Sequence, residues 1–151
     1  MLSDHGLMLN PELARWEYWC TPHNALTFGS TGGDGVHFSL VDLGDGPSNT
    51  SPVVITVPMA FGDDFRPNWI VGETLTEFLA LGLDASYFTL EQLAYDPSWP
   101  LRIEQAPRGD RPPVVQRLAD ELGLAPWDDV ADRLAELHQR YAPTLQIPPP
   151  I

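Results

Sequence analysis

The sequence predicts an α+β fold, with helices packed against a mixed or antiparallel sheet and a C-terminal helical pair. Two segments have the apolar patterns of strands, and several others repeat apolar residues at the three-and-four spacing of amphipathic helices. The 151 residues suit a single domain. We expect an α+β core in residues 1–100, and a Pro-rich linker with C-terminal helices in residues 101–151, packed on the same domain.

The N-terminal region is predicted to be helical over residues 11–19. Asn10 followed by Pro11 has the pattern of an N-cap with proline at the first helical position. Trp16 and Trp19, three residues apart, would lie on one side of this helix. Residues 21–28 then predict a turn that leads into extended chain.

Two strands follow. Residues 36–43 alternate, with one side fully apolar and the other mixed: Val36, Phe38 and Leu40 against His37, Ser39 and Val41. Residues 52–58, "PVVITVP", are continuously apolar, which is typical of a central strand covered on both faces. The turn-forming loop between them predicts antiparallel pairing.

Helices are predicted next at residues 74–82 and in a turn or two after Thr89. Thr74 with Glu77, and Thr89 with Gln92, have capping-box spacing, and Gly82 has the position of a helix-ending glycine. Residues 96–113 are rich in proline and predict a linker.

The C-terminal region predicts two further helices and an irregular tail. The helices cover residues 114–122, ending at Gly123, and residues 126–141. The tail "IPPPI" cannot be helical because of its prolines.

The glycine-rich stretch "GSTGGDG", residues 29–35, raises the possibility of a phosphate-binding loop. Such loops continue with lysine and a helix, whereas this chain has no lysine and a strand follows. The pattern instead indicates a tight turn, in which Gly32, Gly33 and Gly35 adopt positive φ angles and the Asp34 carboxylate caps the turn.

Charge is the strongest feature of the composition. The chain has 21 acids and eight bases, a net charge of −13. Direct binding to nucleic acid is therefore not expected, since phosphates attract basic surfaces. The excess of acids has two interpretations, which are general solubility and a basic partner.

The sequence also predicts a cytoplasmic protein with no membrane contact. It has no apolar run long enough to cross a bilayer, and its N-terminus lacks the features of a signal peptide. Cys20 is the single cysteine, so neither an intramolecular disulfide nor a cysteine-based zinc site is possible within the chain.

Several of these segments together resemble the SMI1/KNR4 superfamily, also called SUKH. The resemblance covers about residues 20–95 and is carried by "LTFGSTGGDGVHFSLV", "PVVITVP", "NWIVGETLTEFLALG" and "YFTLEQL". Gly33, Asp34 and Gly35 match the family's turn, and Phe78 and Leu79 match its short helix. The N-terminal region and the last 50 residues depart from the family pattern.

The resemblance implies an α+β fold and a role in protein binding, since many bacterial members are immunity proteins that neutralise a toxin domain, often a nuclease. A nuclease is basic where it binds polyphosphate, so an acidic inhibitor would be attracted to the same region. The candidate partner-binding residues lie in or beside predicted loops: Asp34, Asp42, Asp45, Asp63, Asp64 and Arg66. The alternative for each aspartate is a purely structural role in a turn.

Other functions have weaker support in the sequence. A scaffolding or regulatory module of the same fold would need no basic partner. Cys20 and His23 could form a nucleophile and base only if the fold aims them at each other. Asp34 and His37, with His23 nearby, lack a defined third ligand for a metal, and no cofactor is expected.

Overall fold

The computed structural model describes residues 2–106 and 111–149. Five strands form one sheet in chain order: β1 Met8–Ala14, β2 Ala25–Ser30, β3 His37–Val41, β4 Val53–Thr56 and β5 Asn68–Gly72. Each strand pairs antiparallel with the next. The expected α+β class is therefore confirmed, with an antiparallel sheet.

The helices pack around this sheet. They are α1 Leu75–Ala85, α2 Trp99–Gln105, α3 Pro113–Leu122 and α4 Val130–Tyr141, with short 3-10 helices at Leu2–His5, Phe88–Ala94 and Ala142–Thr144. No helix in residues 2–106 or 111–149 combines the length and apolar character needed to cross a bilayer.

One face of the sheet carries the apolar core. Phe78 of α1 packs on Phe38 of β3, with ring centroids 4.9 Å apart, and its edge meets Phe28 of β2 at 5.8 Å. Leu134 and Leu137 of α4 are fully buried in the same core, and α4 lies against β5. The C-terminal helix thus shares its apolar stripe with the core of the sheet.

Ion pairs hold α4 to the start of α1. Arg133 lies 3.1 Å from a Glu77 carboxylate oxygen, and Arg140 lies 2.7 Å from Glu73. The Trp127 indole donates to the carbonyl of Glu77 at 2.9 Å. Glu73 and Glu77, beside and within the first turn of α1, are therefore neutralised by arginines of the C-terminal helix.

The opposite face of the sheet is buried as well, and it is the more polar one, although the apolar Val54 and Ile70 share it with the polar residues of β3. The sequence predicted one fully apolar side for β3, and the structure buries all five residues of the strand. The hydroxyls of Thr27 and Ser39 lie 3.1 Å apart, and Thr56 donates to the Asn68 side chain at 2.7 Å. These polar groups tolerate burial because each has a hydrogen-bond partner.

A segment that we call the strap, residues 15–22, covers this polar face. The Asn68 amide donates to the carbonyl of Cys20 at 3.0 Å, and the Trp16 backbone N–H donates to Thr27 at 3.2 Å. The Arg15 guanidinium donates to the carbonyls of Thr21 and Pro22, which closes the strap on itself. The strap is thus joined to the sheet by hydrogen bonds from both sides.

His37 is the centre of the contact between strap and sheet. Its imidazole is fully buried, with the rings of Trp16 and Tyr18 at centroid distances of 5.4 and 5.3 Å. Nδ1 lies 2.7 Å from the Gly35 carbonyl, which can only accept, so Nδ1 carries the proton. Nε2 then accepts from the Thr21 hydroxyl at 3.0 Å. Burial lowers the pKa of this imidazole, which favours the neutral form.

The predicted helix at residues 11–19 is wrong. Residues 8–14 form the edge strand β1, and the strap follows it. Pro11 is compatible with an edge strand, because the outer side of such a strand has no neighbouring strand that needs a backbone N–H. The β1–β2 register is irregular between Leu9 and Ala14. Pairing with β2 nevertheless outweighs the helix-capping pattern of Asn10 and Pro11.

Gly82 does not end α1, contrary to the sequence prediction. The helix continues to Ala85, and a Cβ at Gly82 would lie 1.8 Å from the Tyr87 ring. The glycine is therefore required by packing. The start of α1 is as predicted, because Thr74 accepts from the Glu77 N–H.

Three other segments differ from the sequence predictions. Thr89 does not cap a helix but donates to the Ser86 carbonyl, and the predicted helical turns form as a 3-10 helix. The predicted linker contains α2, whose Pro100 lies in the first turn, where proline is tolerated; residues 107–110 lie outside the described residues. The last helix begins at Val130 rather than at residue 126.

The remaining C-terminal features agree with the sequence. α3 ends at Gly123, which has φ 65°, the left-handed conformation of a helix-ending glycine. The described part of the tail after Thr144 is irregular, and the Gln146 carbonyl accepts from the His23 N–H at 2.8 Å.

We predict that Gly82→Ala lowers the free energy of unfolding by about 1–3 kcal/mol because its methyl group displaces the Tyr87 ring. The loss should appear although alanine alone favours a helix by about 1 kcal/mol. Urea unfolding measures it. Gly33→Ala is the matched control, because a Cβ there meets nothing within 4 Å. An equally stable Gly82→Ala variant would contradict the packing.

We also predict that acidification destabilises the protein through His37. The imidazole of the unfolded chain binds a proton near pH 6.5, whereas that of the folded protein binds one only at lower pH. The contribution of neutral His37 to the free energy of unfolding is therefore fully present above about pH 6.5 and decreases as the pH falls below it. Urea unfolding of His37→Asn between about pH 7.5 and about pH 5.5 should show a shallower pH dependence. It should not become flat, because burial also lowers the pKa of His138.

His23→Gln is the matched control, since it also removes a histidine but at an exposed position. An unchanged pH dependence in His37→Asn would contradict the assignment of a buried neutral imidazole.

Candidate functional site

The antiparallel order brings two loops together at one end of the sheet. The β2–β3 turn and the β4–β5 loop leave the sheet at this end, whereas the β3–β4 loop leaves it at the other. Four of the predicted binding residues therefore lie at one end: Asp34, Asp63, Asp64 and Arg66. We call this the acidic end.

The β2–β3 turn presents Asp34 to solvent. Gly32 and Gly35 have φ angles of 84° and 72°, and Asp34 itself has φ 53°. Gly33 is not left-handed, so that part of the prediction is wrong. Backbone bonds close the turn, with the Val36 N–H donating to the Gly33 carbonyl and the Thr31 N–H to the Val36 carbonyl. Among the described residues, no hydrogen bond shows the expected capping role of the Asp34 carboxylate.

The β4–β5 loop combines acids with exposed apolar side chains. Asp63 and Asp64 are exposed, and no arginine of the described residues forms an ion pair with either. Met59 is 56% exposed and Phe61 63% exposed. Large apolar groups this open to water add unfavourable surface unless a partner covers them.

The strap adds two aromatic residues to the acidic end. The Trp19 indole donates to the carbonyl of Pro58 at 2.8 Å, which ties the strap to the β4–β5 loop. The Tyr18 ring packs on Gly35, where an added Cβ would lie 2.8 Å from the ring. Both aromatic side chains remain about two-fifths exposed. The strap, the turn and the loop therefore form a continuous surface.

The electrostatics identify a further acid that the sequence analysis missed. The pKa of Glu91 is raised, first by burial and then by the charge of Asp34. The pKa of Tyr95 is raised by burial and by the same two carboxylates, and its ring meets Phe65 at 5.4 Å. Glu91 thus belongs to the acidic end, although only the folded sheet brings it near Asp34.

Asp42 and Asp45 lie apart from the other candidates, at the opposite end of the sheet. The Asp42 carboxylate accepts from the N–H groups of Gly44 and Gly46 at 2.8 and 3.0 Å, so it stabilises its own loop. Asp45 is exposed. A shallow depression of about 540 Å³ near Asp42 is lined also by the C-terminal tail.

The geometry does not favour the catalytic and metal alternatives. Cys20 is buried, and burial raises the pKa of its thiol to about 11, so the reactive thiolate is scarce at neutral pH. His23 is exposed, whereas His37 is fully buried and Asp34 is in solvent. No group of three acid, histidine or cysteine side chains in the described residues is arranged to hold a metal ion.

Comparison of the chain with protein families, with curated proteins and with solved structures finds no match to any of them.

We predict that Asp34→Asn lowers the pKa of Glu91, because the substitution removes a nearby negative charge that raises it. NMR titration of the Glu91 side chain measures the change. Asp42→Asn, at the opposite end, should leave the Glu91 pKa where it is in the parent protein. Equal effects of the two variants would contradict the grouping of Asp34 with Glu91.

Proposed function

We propose that this protein is a non-catalytic binding protein whose acidic end docks on a basic protein, as an immunity protein or antitoxin does on a toxin in the cytoplasm. One observation carries the proposal. Exposed aspartates and exposed large apolar residues lie side by side on the two loops and the strap at one end of the sheet, although other exposed apolar residues, such as Leu9 and Leu101, lie elsewhere on the surface.

The carboxylates would provide recognition of charge. Three of the acids at this end are exposed and one is partly exposed: Asp34, Asp63, Asp64 and Glu91, respectively. By contrast, Glu73 and Glu77 are neutralised by arginines of α4. Unneutralised acids grouped on a surface attract a basic partner and increase its association rate. The net charge of −13 strengthens this attraction over a longer range.

The exposed apolar side chains would provide the tight contact. Aromatic residues and methionine are enriched in protein interfaces, and buried aromatic anchors contribute much of their binding energy. Trp19 and Phe61 have this character, and Trp19 is fixed in place by its hydrogen bond to Pro58. Electrostatic attraction alone would bring a partner to the surface without holding it there.

The resemblance to the SUKH superfamily favours a toxin domain, and a nuclease in particular, as the basic partner. A nuclease surface is positive where it binds phosphates, so the acidic end has the opposite charge. A scaffold that binds a neutral partner would not require carboxylates at the same end as the aromatic residues.

We predict that the protein, immobilised at low salt, captures a basic polypeptide from its native lysate through the acidic end. Asp63→Asn with Asp64→Asn should slow association several-fold, and Phe61→Ala should mainly increase the dissociation rate. Surface plasmon resonance with the captured polypeptide measures both rates. In the parent protein, the association rate should fall steeply between about 50 mM and about 500 mM salt.

Asp42→Asn with Asp45→Asn is the matched control, since it removes the same charge from the opposite end of the sheet. If the two double variants slow association equally, attraction by the acidic end is wrong. If association does not depend on salt, a scaffold function that needs no charge is the better interpretation.

A further inference from the structure

A groove lies beside the acidic end, where the β4–β5 loop meets the segment before α2 and the outer side of α4. It consists of two depressions, of about 400 and about 480 Å³. Arg66, Trp69 and Pro97 line both of them and form the wall that they share. The groove therefore continues from the acidic end onto the C-terminal helix.

The first depression is acidic. Asp63, Asp64 and Asp96 line it, together with the ring of Tyr95. Asp96 is partly engaged, because it lies 3.4 Å from Arg102 and accepts from Ser98. Asp63 and Asp64 have no such ion pair among the described residues, so they are available to a cation from outside.

The second depression is mainly apolar. Pro100, Leu101, Ala131 and Ala135 line it, and the side chain of Leu101 is half exposed. The Trp69 and His138 rings, which also line it, lie with centroids 4.6 Å apart. Burial, with the charge of Arg66, lowers the pKa of His138, so this ring is uncharged at neutral pH.

The same two rings hold polar atoms that the fold does not satisfy. Trp69 Nε1 and His138 Nδ1 are buried, and neither has a hydrogen-bond partner in the structure. Such groups are rare in folded proteins because they lose their hydration and gain nothing in return. Both nitrogens have almost no accessible surface, so they lie beneath the wall of the groove, and a ligand contacts the rings rather than these atoms.

We infer that the groove binds an extended segment of the basic partner, in which an aliphatic side chain enters the apolar depression and a neighbouring arginine or lysine lies against Asp63 and Asp64. A free anionic ligand fits less well, because these carboxylates and the net charge of −13 repel it. This inference rests on the proposed function, since it assigns the segment to the partner that docks on the acidic end.

The test uses the blocked tetrapeptide acetyl-Gly-Leu-Arg-Gly-amide as a probe of the isotope-labelled protein in NMR titrations. It should shift the Trp69 indole signal and the amide signals of Ala131 and Ala135, and saturate in the millimolar range expected of so small a ligand. The peptides with glutamate in place of arginine, or with glycine in place of leucine, should bind several-fold more weakly.

Ala135→Trp should abolish the shifts, because an indole at this exposed position of α4 fills the apolar depression. Val114→Trp places the same side chain on an exposed position of α3, away from both depressions, and should leave binding unchanged. Shifts that persist in Ala135→Trp, equal binding of the glutamate peptide, or no shift at the highest soluble peptide concentration would each overturn the inference.

Two outcomes distinguish an error in the groove inference from an error in the proposed function. If Ala135→Trp captures the basic polypeptide with unchanged affinity, the groove is not part of the interface and the acidic end still is. If no basic polypeptide binds but the leucine–arginine peptide does, the groove exists and the proposed function is wrong.

Discussion

The buried hydrogen bond between Thr21 and His37 joins the strap to the sheet, and the shape of the acidic end depends on it. A neutral imidazole with both nitrogens satisfied can lie in the interior at little cost. The strap that it holds carries Tyr18 against Gly35 and Trp19 against the Pro58 carbonyl. A polar contact inside the molecule thus fixes the aromatic side chains outside it.

Covering both faces of the sheet determines where a partner can bind. Helices bury one face and the strap buries the other, so the central strands are closed to solvent on both sides. The loops at the ends of the strands remain open, and binding residues on loops are positioned by the rigid sheet behind them. The carboxylates at the two ends differ in their local roles. Asp42 stabilises its own turn, whereas Asp63 and Asp64 extend from theirs into solvent.

Features that depend on local sequence were predictable, and features that depend on distant pairing were not. The cap at Thr74, the end of α3 at Gly123 and the apolar stripe of α4 follow from neighbouring residues. The strand β1 cannot be predicted from its own residues because its pairing with β2 is not local, and the role of Gly82 cannot be predicted from the helix alone because Tyr87 decides it. The candidate acids could be named from the sequence, but their division between two ends, and the addition of Glu91, required the strand order.

Under the proposed function, the acidic end forms the interface with a basic protein. Hydrogen exchange of the protein, alone and bound to the captured basic polypeptide, tests it most directly. We expect binding to slow exchange in residues 31–36, in residues 57–67 and in the strap, with no change in residues 42–52. Slowed exchange in residues 42–52 or in α3, with none at the acidic end, would contradict the claim.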